Sequence, residues 1–410
     1  MEQVYGRVAG IDIHKKIVVA VVADRSAPEQ TAQERRFGTT RSGLEELRKW
    51  LAEEQVGEVA MESTAQYWKP VWMELEGQFR LHLAQARSTA APRGRKTDSA
   101  DALRIVKRLV SDDLTLSYVP EAEQRRWRLL ARARTQLVQD RVRIRNQMEG
   151  VLEEARLKLS SFVSDLLGLS SRKILRALAL GVEDPNQLAE LGAQWLHASQ
   201  EELRDALSGH LHALHRKLLG MQLDRVEGLD RDIETLEQEL STALRSQQAA
   251  LQRLCEVPGI GMTAAQQVIA EVGCQAEAFP SPAQLASWVG SCPGREESAG
   301  RSRNDRSPTG NRAMRSLLTQ MAWGAVHTNG SFFQHLFRRL MPRLGIQKAI
   351  WAVAHRMTRL IWRILHENVS YQERGDTPDP RTIQRRKQRL LRQLRKLGYS
   401  AVLTPTAPAC

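Results

Sequence analysis

Short apolar runs and amphipathic segments alternate along the first third of the chain. The runs Val8–Ile13 and Ile17–Ala23 are rich in β-branched residues, so they predict two adjacent strands. In Ser42–Glu54 the apolar positions are three and four residues apart, which indicates an amphipathic helix. The other predicted elements are strands at Glu34–Thr39, Gly57–Met61 and Phe79–Ala84 and helices at Tyr67–Leu75 and Ser99–Leu109.

The succession of three strands, helix, strand, helix, strand and helix is that of an RNase H-like (RuvC-like) domain, which we assign to residues 1–118. The rest of the chain has helical periodicity, so the predicted fold class is α/β plus all-α. Long coiled-coil helices are expected in residues 119–250, a helical domain in 251–375 and a basic, partly disordered tail in 376–410. The coiled-coil pattern predicts pairing with another helix, either within the chain or across a dimer.

The charge of the chain points to a polyanionic partner. Its 410 residues include 60 Lys and Arg against 47 Asp and Glu, a formal net charge of +13, and we expect nucleic acid. No run reaches the roughly 18 uncharged apolar residues of a membrane span, and no signal peptide is expected. The four cysteines lack the spacing of a zinc site or a disulfide framework, so a cytoplasmic location is expected.

Four carboxylates stand where the predicted strands and the last helix of the first domain converge. Asp12 lies in the first strand, and Glu62 lies just past the fourth. Asp98 and Asp101 share one face at the start of the last helix. Oxygen donors suit Mg²⁺ or Mn²⁺, and a pair of such ions promotes phosphoryl transfer. The alternative, that these acids cap a helix, accounts for Asp98 but not for an acid within an apolar strand.

Two basic segments are candidates for nucleic-acid binding. The first directly precedes the helix of Asp98 and consists of Arg93, Arg95 and Lys96. The second lies on the helix predicted from residue 121 to 159, where acids are nearly absent between 125 and 139. Its candidate residues are Arg125, Arg126, Arg128, Arg132 and Arg134. Such residues bind phosphates without reading bases, whereas the alternative for both segments is a solvated surface.

The turn Val257-Pro-Gly-Ile-Gly261 lies between two predicted helices. It is typical of a helix-hairpin-helix, in which backbone N–H groups near Gly259 and Gly261 would face a phosphate. A plain connection between two helices is the alternative.

A glycine-punctuated loop between residues 292 and 315 carries one central serine, Ser298. The basic candidates for phosphate contact around it are Arg301, Arg303, Arg306 and Arg312. Small residues let a backbone approach a ligand closely, and arginines bind phosphate through two parallel hydrogen bonds. Ser298 is therefore a candidate nucleophile toward a nucleic-acid backbone, although a solvated basic loop explains the same residues.

Six motifs in one order resemble the transposases of the insertion-sequence 110 family, also called DEDD transposases. Three match the RuvC-like domain of that family: Gly10-Ile-Asp-Ile-His-Lys-Lys16, Met61-Glu-Ser-Thr64 with Tyr67-Trp-Lys-Pro70, and Lys96-Thr-Asp-Ser-Ala-Asp101. Three match its C-terminal transposase domain: Val257-Pro-Gly-Ile-Gly261, Pro293-Gly-x-x-Glu-Ser-Ala-Gly300 and Gly310-Asn-Arg312. Each motif alone is weak, but all six in this order are specific.

The resemblance implies a site-specific DNA recombinase that moves an insertion sequence through a circular intermediate. It implies that Asp12, Glu62, Asp98 and Asp101 bind Mg²⁺ or Mn²⁺. It also implies that Ser298 forms a covalent phosphoserine link to DNA. A noncoding bridge RNA would pair with donor and target DNA, and the subunits would assemble as a tetramer of two dimers that share active sites.

Two features depart from the family: Ser291-Cys292 precedes the Pro293 motif, and the basic tail after residue 380 is long. Two other hypotheses stand beside the serine recombinase. A RuvC-like metal-dependent nuclease would use activated water and form no covalent intermediate. A catalytically silent nucleic-acid-binding protein would not depend on the carboxylates.

Overall fold

The computed structural model describes residues 6–63, 65–86, 98–192, 199–292, 296–298, 301–304, 307–375 and 380–401. The chain divides into two compact units, Met1–Pro120 and Glu121–Cys410. The first predicted domain boundary, at residue 118, lies beside this division. The predicted division of the second unit into three parts stays a prediction.

Strands and helices follow one another in the first unit in the predicted order. They are β1 (Arg7–Ile13), β2 (Ile17–Asp24), β3 (Gln33–Gly38), α1 (Arg41–Glu53), β4 (Glu58–Glu62), α2 (Trp68–Leu75), β5 (Arg80–Ala84) and α3 (Asp98–Val110). The five-stranded sheet has the order β3-β2-β1-β4-β5. Strand β2 is antiparallel to β1 and β3, whereas β4 is parallel to β1 and β5. This mixed sheet confirms the α/β class and is consistent with an RNase H-like domain.

Both faces of the sheet are buried at β1 and β2, where successive side chains alternate between two apolar cores. On β1, Ile11 and Ile13 join the core that includes the apolar side chains of α1 and α2. Val8 lies on the opposite face, with α3. Gly10 also faces α3: an added Cβ would lie 2.8 Å from Val106 Cγ2 and 2.9 Å from Val106 N. Glycine therefore lets α3 pack directly onto β1.

The described part of the second unit is mainly helical. Its elements are α4 (Ala122–Glu154), α5 (Leu159–Phe162), α6 (Leu169–Leu180), α7 (Pro185–Glu190), α8 (Gln200–Ala206), α9 (Ala213–Ala243), a 3₁₀ turn (Arg245–Gln247), α10 (Gln248–Cys255), α11 (Met262–Val272), α12 (Pro282–Val289), β6 (Glu296–Ser298), β7 (Arg301–Asn304), α13 (Arg312–His327), α14 (Phe332–Leu344), α15 (Ile346–His366) and α16 (Pro380–Lys396). In the part of the chain that the structure describes, no helix is long and apolar enough to cross a lipid bilayer.

Helices α4 and α9 pack side by side and run antiparallel. Arg134 pairs with Glu237, and Arg141 pairs with Asp230 at 2.9 Å. A later residue of α4 thus pairs with an earlier residue of α9, as antiparallel helices require. Met148 belongs to the buried core that α4 shares with α9. The coiled-coil pattern is thus satisfied within the chain, and it carries no argument for a dimer.

The predicted helix-hairpin-helix turn packs against α13. Gly259 has a φ of +82°, and an added Cβ would lie 3.0 Å from Ala325 Cα and closer still to Met321 O. Close packing of two backbones therefore explains this glycine without a phosphate. Gly261 directly precedes α11 and has open space where a Cβ would stand. The helix-hairpin-helix and its phosphate contacts stay predictions.

Candidate metal centre and serine loop

Asp12 and Glu62 lie at the same edge of the sheet. Strands β1 and β4 are parallel neighbours, and the two acids stand at the carboxyl ends of these strands. Asp12 follows Gly10 by two residues, so its side chain lies on the face that α3 covers. It is 8% exposed, which withdraws the carboxylate from most of its water.

The two remaining predicted ligands are brought to this edge by α3. The helix begins at Asp98 and carries Asp101 in its first turn. Ala102 and Val106 of the same helix are buried in the core on this face of the sheet. The close packing at Gly10 thus positions the helix whose first turn bears two acids.

A histidine outside the predicted ligand set lies in the same cluster. His14 Nε2 lies 3.2 Å from Asp12 Oδ2 and 3.3 Å from Asp98 Oδ1. Among the described residues, Asp12, His14 and Asp98 offer ligand atoms that all lie within 4.8 Å of one another. The available signal was that His14 follows Asp12 by two residues, immediately after β1 ends.

The other three predicted carboxylates all shift the pKa of Asp12. Burial raises this pKa most, and the negative charges of Glu62, Asp101 and Asp98 raise it further, whereas His14 lowers it. A carboxyl group that is buried among like charges favours the neutral form. A divalent cation would reverse this balance, because it compensates several carboxylates at once.

The donor set fits a divalent cation. Carboxylate oxygens suit Mg²⁺ and Mn²⁺, and an imidazole nitrogen adds a preference for transition metals such as Mn²⁺. Asp12, Asp98 and His14 lie close enough to share one ion. Glu62 and Asp101 lie near enough for their negative charges to raise the pKa of Asp12. The site is therefore suited to an ion used in phosphate chemistry.

The predicted nucleophile lies in a short hairpin. Ser298 is the last residue of β6 and pairs with Arg301, the first residue of β7, while the register shifts between Glu296 and Glu297. Arg303 also lies on β7. The structure describes this hairpin through its backbone, so the roles of these side chains stay predictions.

Other predicted phosphate contacts are distributed differently. Arg312 is the first residue of α13 and is exposed. Arg306, Arg93, Arg95 and Lys96 lie outside the described residues.

The arginines of α4 require a correction. The sequence suggested uncompensated charge, but Arg132 donates to Glu271 Oε1 at 2.6 Å and to Oε2 at 2.9 Å. Arg128 Nε lies 3.5 Å from Glu271 Oε2, and Arg134 pairs with Glu237. The compensating acids come from α11 and α9, which are distant in sequence.

Within the same set, Arg125 and Arg126 lie near the start of α4. Arg125 is half-buried, and Arg126 is exposed. Arg126 therefore remains a candidate for contact with a phosphate backbone.

Two family models match the chain. The model of DEDD transposases of the IS110 family, described as a transposase, matches residues 9–156, and the model described as the transposase IS116/IS110/IS902 family matches residues 251–337. The chain belongs to the IS110 family of transposases. A probable family 20 transposase of Pseudomonas aeruginosa is 25% identical over 319 residues, which cover 76% of this chain and 85% of the relative.

The family membership implies an enzyme that cleaves and recombines DNA. The match to residues 9–156 includes all four predicted carboxylates, and the match to residues 251–337 includes Ser298. The predicted chemistry of this IS110-family transposase is thus divided between the two matched segments.

Proposed function

We propose that this IS110-family transposase cleaves and rejoins DNA through an ester between Ser298 and a DNA phosphate, with Mg²⁺ or Mn²⁺ held by a carboxylate tetrad. The tetrad consists of Asp12, Glu62, Asp98 and Asp101. The chief support is geometric: Asp12, His14 and Asp98 offer ligand atoms within 4.8 Å of one another, and the charges of Glu62, Asp101 and Asp98 raise the pKa of the buried Asp12. A buried carboxylate close to other carboxylates is costly, and a bound divalent cation would offset that cost.

In this proposal, Ser298 Oγ attacks the phosphorus of a scissile phosphodiester and loses its proton. The bond from phosphorus to the deoxyribose oxygen breaks, and that oxygen leaves as a hydroxyl group. A DNA hydroxyl then attacks the phosphoserine and restores the serine. Bound divalent ions would lower the pKa of an attacking oxygen and stabilise negative charge on the phosphate. Arg301, Arg303 and Arg312 would hold the phosphate oxygens.

The decisive experiment is covalent trapping. Full-length protein, with the RNA that co-purifies with it, is incubated with plasmid DNA carrying its own insertion element and Mg²⁺. After denaturation we expect a protein–DNA adduct that is absent for Ser298→Ala and for Asp12→Ala. Ser302→Ala is the matched control and should keep the adduct. An adduct that persists in Ser298→Ala would contradict the serine mechanism.

The same experiment tests the RuvC-like nuclease. Its metal-activated water would give cleaved DNA without an adduct, and this cleavage would survive Ser298→Ala but not Asp12→Ala. The five-stranded sheet and the carboxylates support this alternative equally, so the adduct discriminates between the two. A silent nucleic-acid-binding protein would give neither adduct nor cleavage.

Guidance by a bridge RNA and assembly into a tetramer are further parts of the proposal, carried over from the family. Sequencing the co-purified RNA tests the first: a transcript from the element with segments complementary to donor and target DNA is expected. Mixing Asp12→Ala protein with Ser298→Ala protein tests shared active sites. Recovery of the adduct in the mixture is expected, and its absence would indicate that subunits do not share catalytic residues.

A further inference from the structure

The two ends of the loop that carries Ser298 contact each other where residues 289–290 meet residues 308–310, and we call this contact the neck. On the outgoing side, Gly290 has a φ of +77°, and an added Cβ would lie 2.6 Å from Pro308 O. On the returning side, Gly310 has a φ of +50° and would meet Val289 O. Two backbone segments thus touch where neither tolerates a side chain.

Arg315 of α13 holds the two sides of the neck together. Its Nη1 donates to Gly290 O and, at 2.8 Å, to Pro308 O. Its Nη2 donates to Ser307 Oγ at 3.2 Å. The guanidinium also lies 4.4 Å from the ring centre of Trp351 on α15. The neck is therefore fixed to the helical core on this side.

Asn311 holds the neck on its other side. Its backbone N donates to Trp288 O at 3.1 Å, which joins the returning segment to α12. Its Oδ1 accepts from Met314 N and caps α13. Its Nδ2 donates to Glu271 Oε2 at 3.0 Å. The amide thus links the neck to a carboxylate on α11.

Glu271 is a charged side chain in a buried place. It is 3% exposed, and its carboxylate is bound by Arg132 through two hydrogen bonds. Arg128 donates to Ala270 O at 3.2 Å and to the backbone oxygen of Glu271. A buried charge is costly unless it is fully paired, so this network couples α4, α11 and the neck into one arrangement.

We propose that Glu271 is a positioning residue for Ser298: it locks the neck of the serine loop to the arginine-bearing helix α4. This rests on the proposed nucleophilic role of Ser298. The carboxylate does not touch the reacting atoms; it fixes Asn311, and Asn311 fixes the returning side of the loop. Misplacement of a reacting group by about 1 Å lowers a rate by about 100-fold.

The test uses Glu271→Gln in the full-length protein. Gln keeps the size of the side chain but places an NH₂ group against donors on Arg132 or Asn311. Adduct formation is followed at saturating plasmid DNA carrying the element, and we expect the first-order rate to fall by about 100-fold while the DNA affinity is unchanged. Glu271→Asp should recover part of the rate. Hydrogen exchange should accelerate in the peptide 286–315.

Two variants separate positioning from general loss of stability. Asn311→Asp keeps an oxygen that caps α13 but sets a second carboxylate against Glu271, so it should reproduce both effects. Glu237→Gln removes a different acid that pairs with α4, away from the neck, and should leave the rate and the 286–315 exchange unchanged.

The outcomes are distinguishable from failure of the proposed function. If Ser298→Ala retains the adduct, the nucleophile itself is wrong. If Ser298→Ala loses the adduct while Glu271→Gln and Asn311→Asp react at the wild-type rate, Glu271 does not position the loop. If exchange in Glu271→Gln rises equally throughout residues 121–375, Glu271 serves the fold rather than the neck.

Discussion

Gly10 offers a sharp test of how the carboxylates are brought together. It lies at the centre of β1, two residues before Asp12, where α3 packs onto the strand. In Gly10→Ala the new Cβ would stand 2.9 Å from Val106 N and closer still to Ala102 O. Ordinary contact begins at 3.4 Å, so the helix must retreat by at least 3.4 − 2.9 = 0.5 Å.

Two consequences follow from this shift. Overpacking of a closely packed core destabilises by about 1–3 kcal/mol, so the first unit should unfold at a lower temperature. Asp98 and Asp101 would move with the start of α3 relative to Asp12. Since a displacement of about 1 Å costs about 100-fold in rate, we expect at least about a tenfold loss of DNA cleavage.

The assay pairs Gly10→Ala with Gly6→Ala, because Gly6 has no atom within 4 Å of an added Cβ. Thermal unfolding, Mn²⁺ affinity and cleavage of plasmid DNA carrying the element are measured for both. We expect all three to be impaired in Gly10→Ala and wild-type in Gly6→Ala. Equal unfolding temperatures and equal Mn²⁺ affinities in the two variants would refute the packing argument.

Three further predictions concern charge. His14→Gln should weaken Mn²⁺ binding by about tenfold and Mg²⁺ binding less, and should remove ¹⁴N modulation from the pulsed EPR signal of bound Mn²⁺. Asp12→Asn should raise the unfolding temperature in chelator, unlike Asp24→Asn. The pKa of Asp12 is raised, so ionised Asp12 destabilises the folded protein and becomes protonated as the pH falls. The difference in unfolding temperature between Asp12→Asn and wild type should therefore shrink at lower pH. Arg126→Gln should reduce the salt dependence of binding to co-purified RNA by about one unit of slope, whereas Arg134→Gln should leave it unchanged.

The order of elements in the first unit was predictable because the burial of a strand or helix shows in the apolar pattern of its own residues. Strands covered on both faces read as continuous apolar runs, and a surface helix repeats its apolar positions every three to four residues. From these patterns the positions of Asp12, Glu62, Asp98 and Asp101 could be assigned to one region of an RNase H-like topology. The periodicity of α4 and α9 likewise predicted long paired helices.

The sequence by itself therefore determined the element order of the first unit, the family motifs and the carboxylates selected. Only the tertiary structure decided which groups share a charge or a close contact. It joined His14 to Asp12, supplied α4 with acids from α9 and α11, and explained Gly259 by its contact with α13. The physical reason is the distance along the chain between the residues that interact. Periodicity records which face of one element is buried, but charge compensation and backbone contact depend on partners that folding brings from far along the chain.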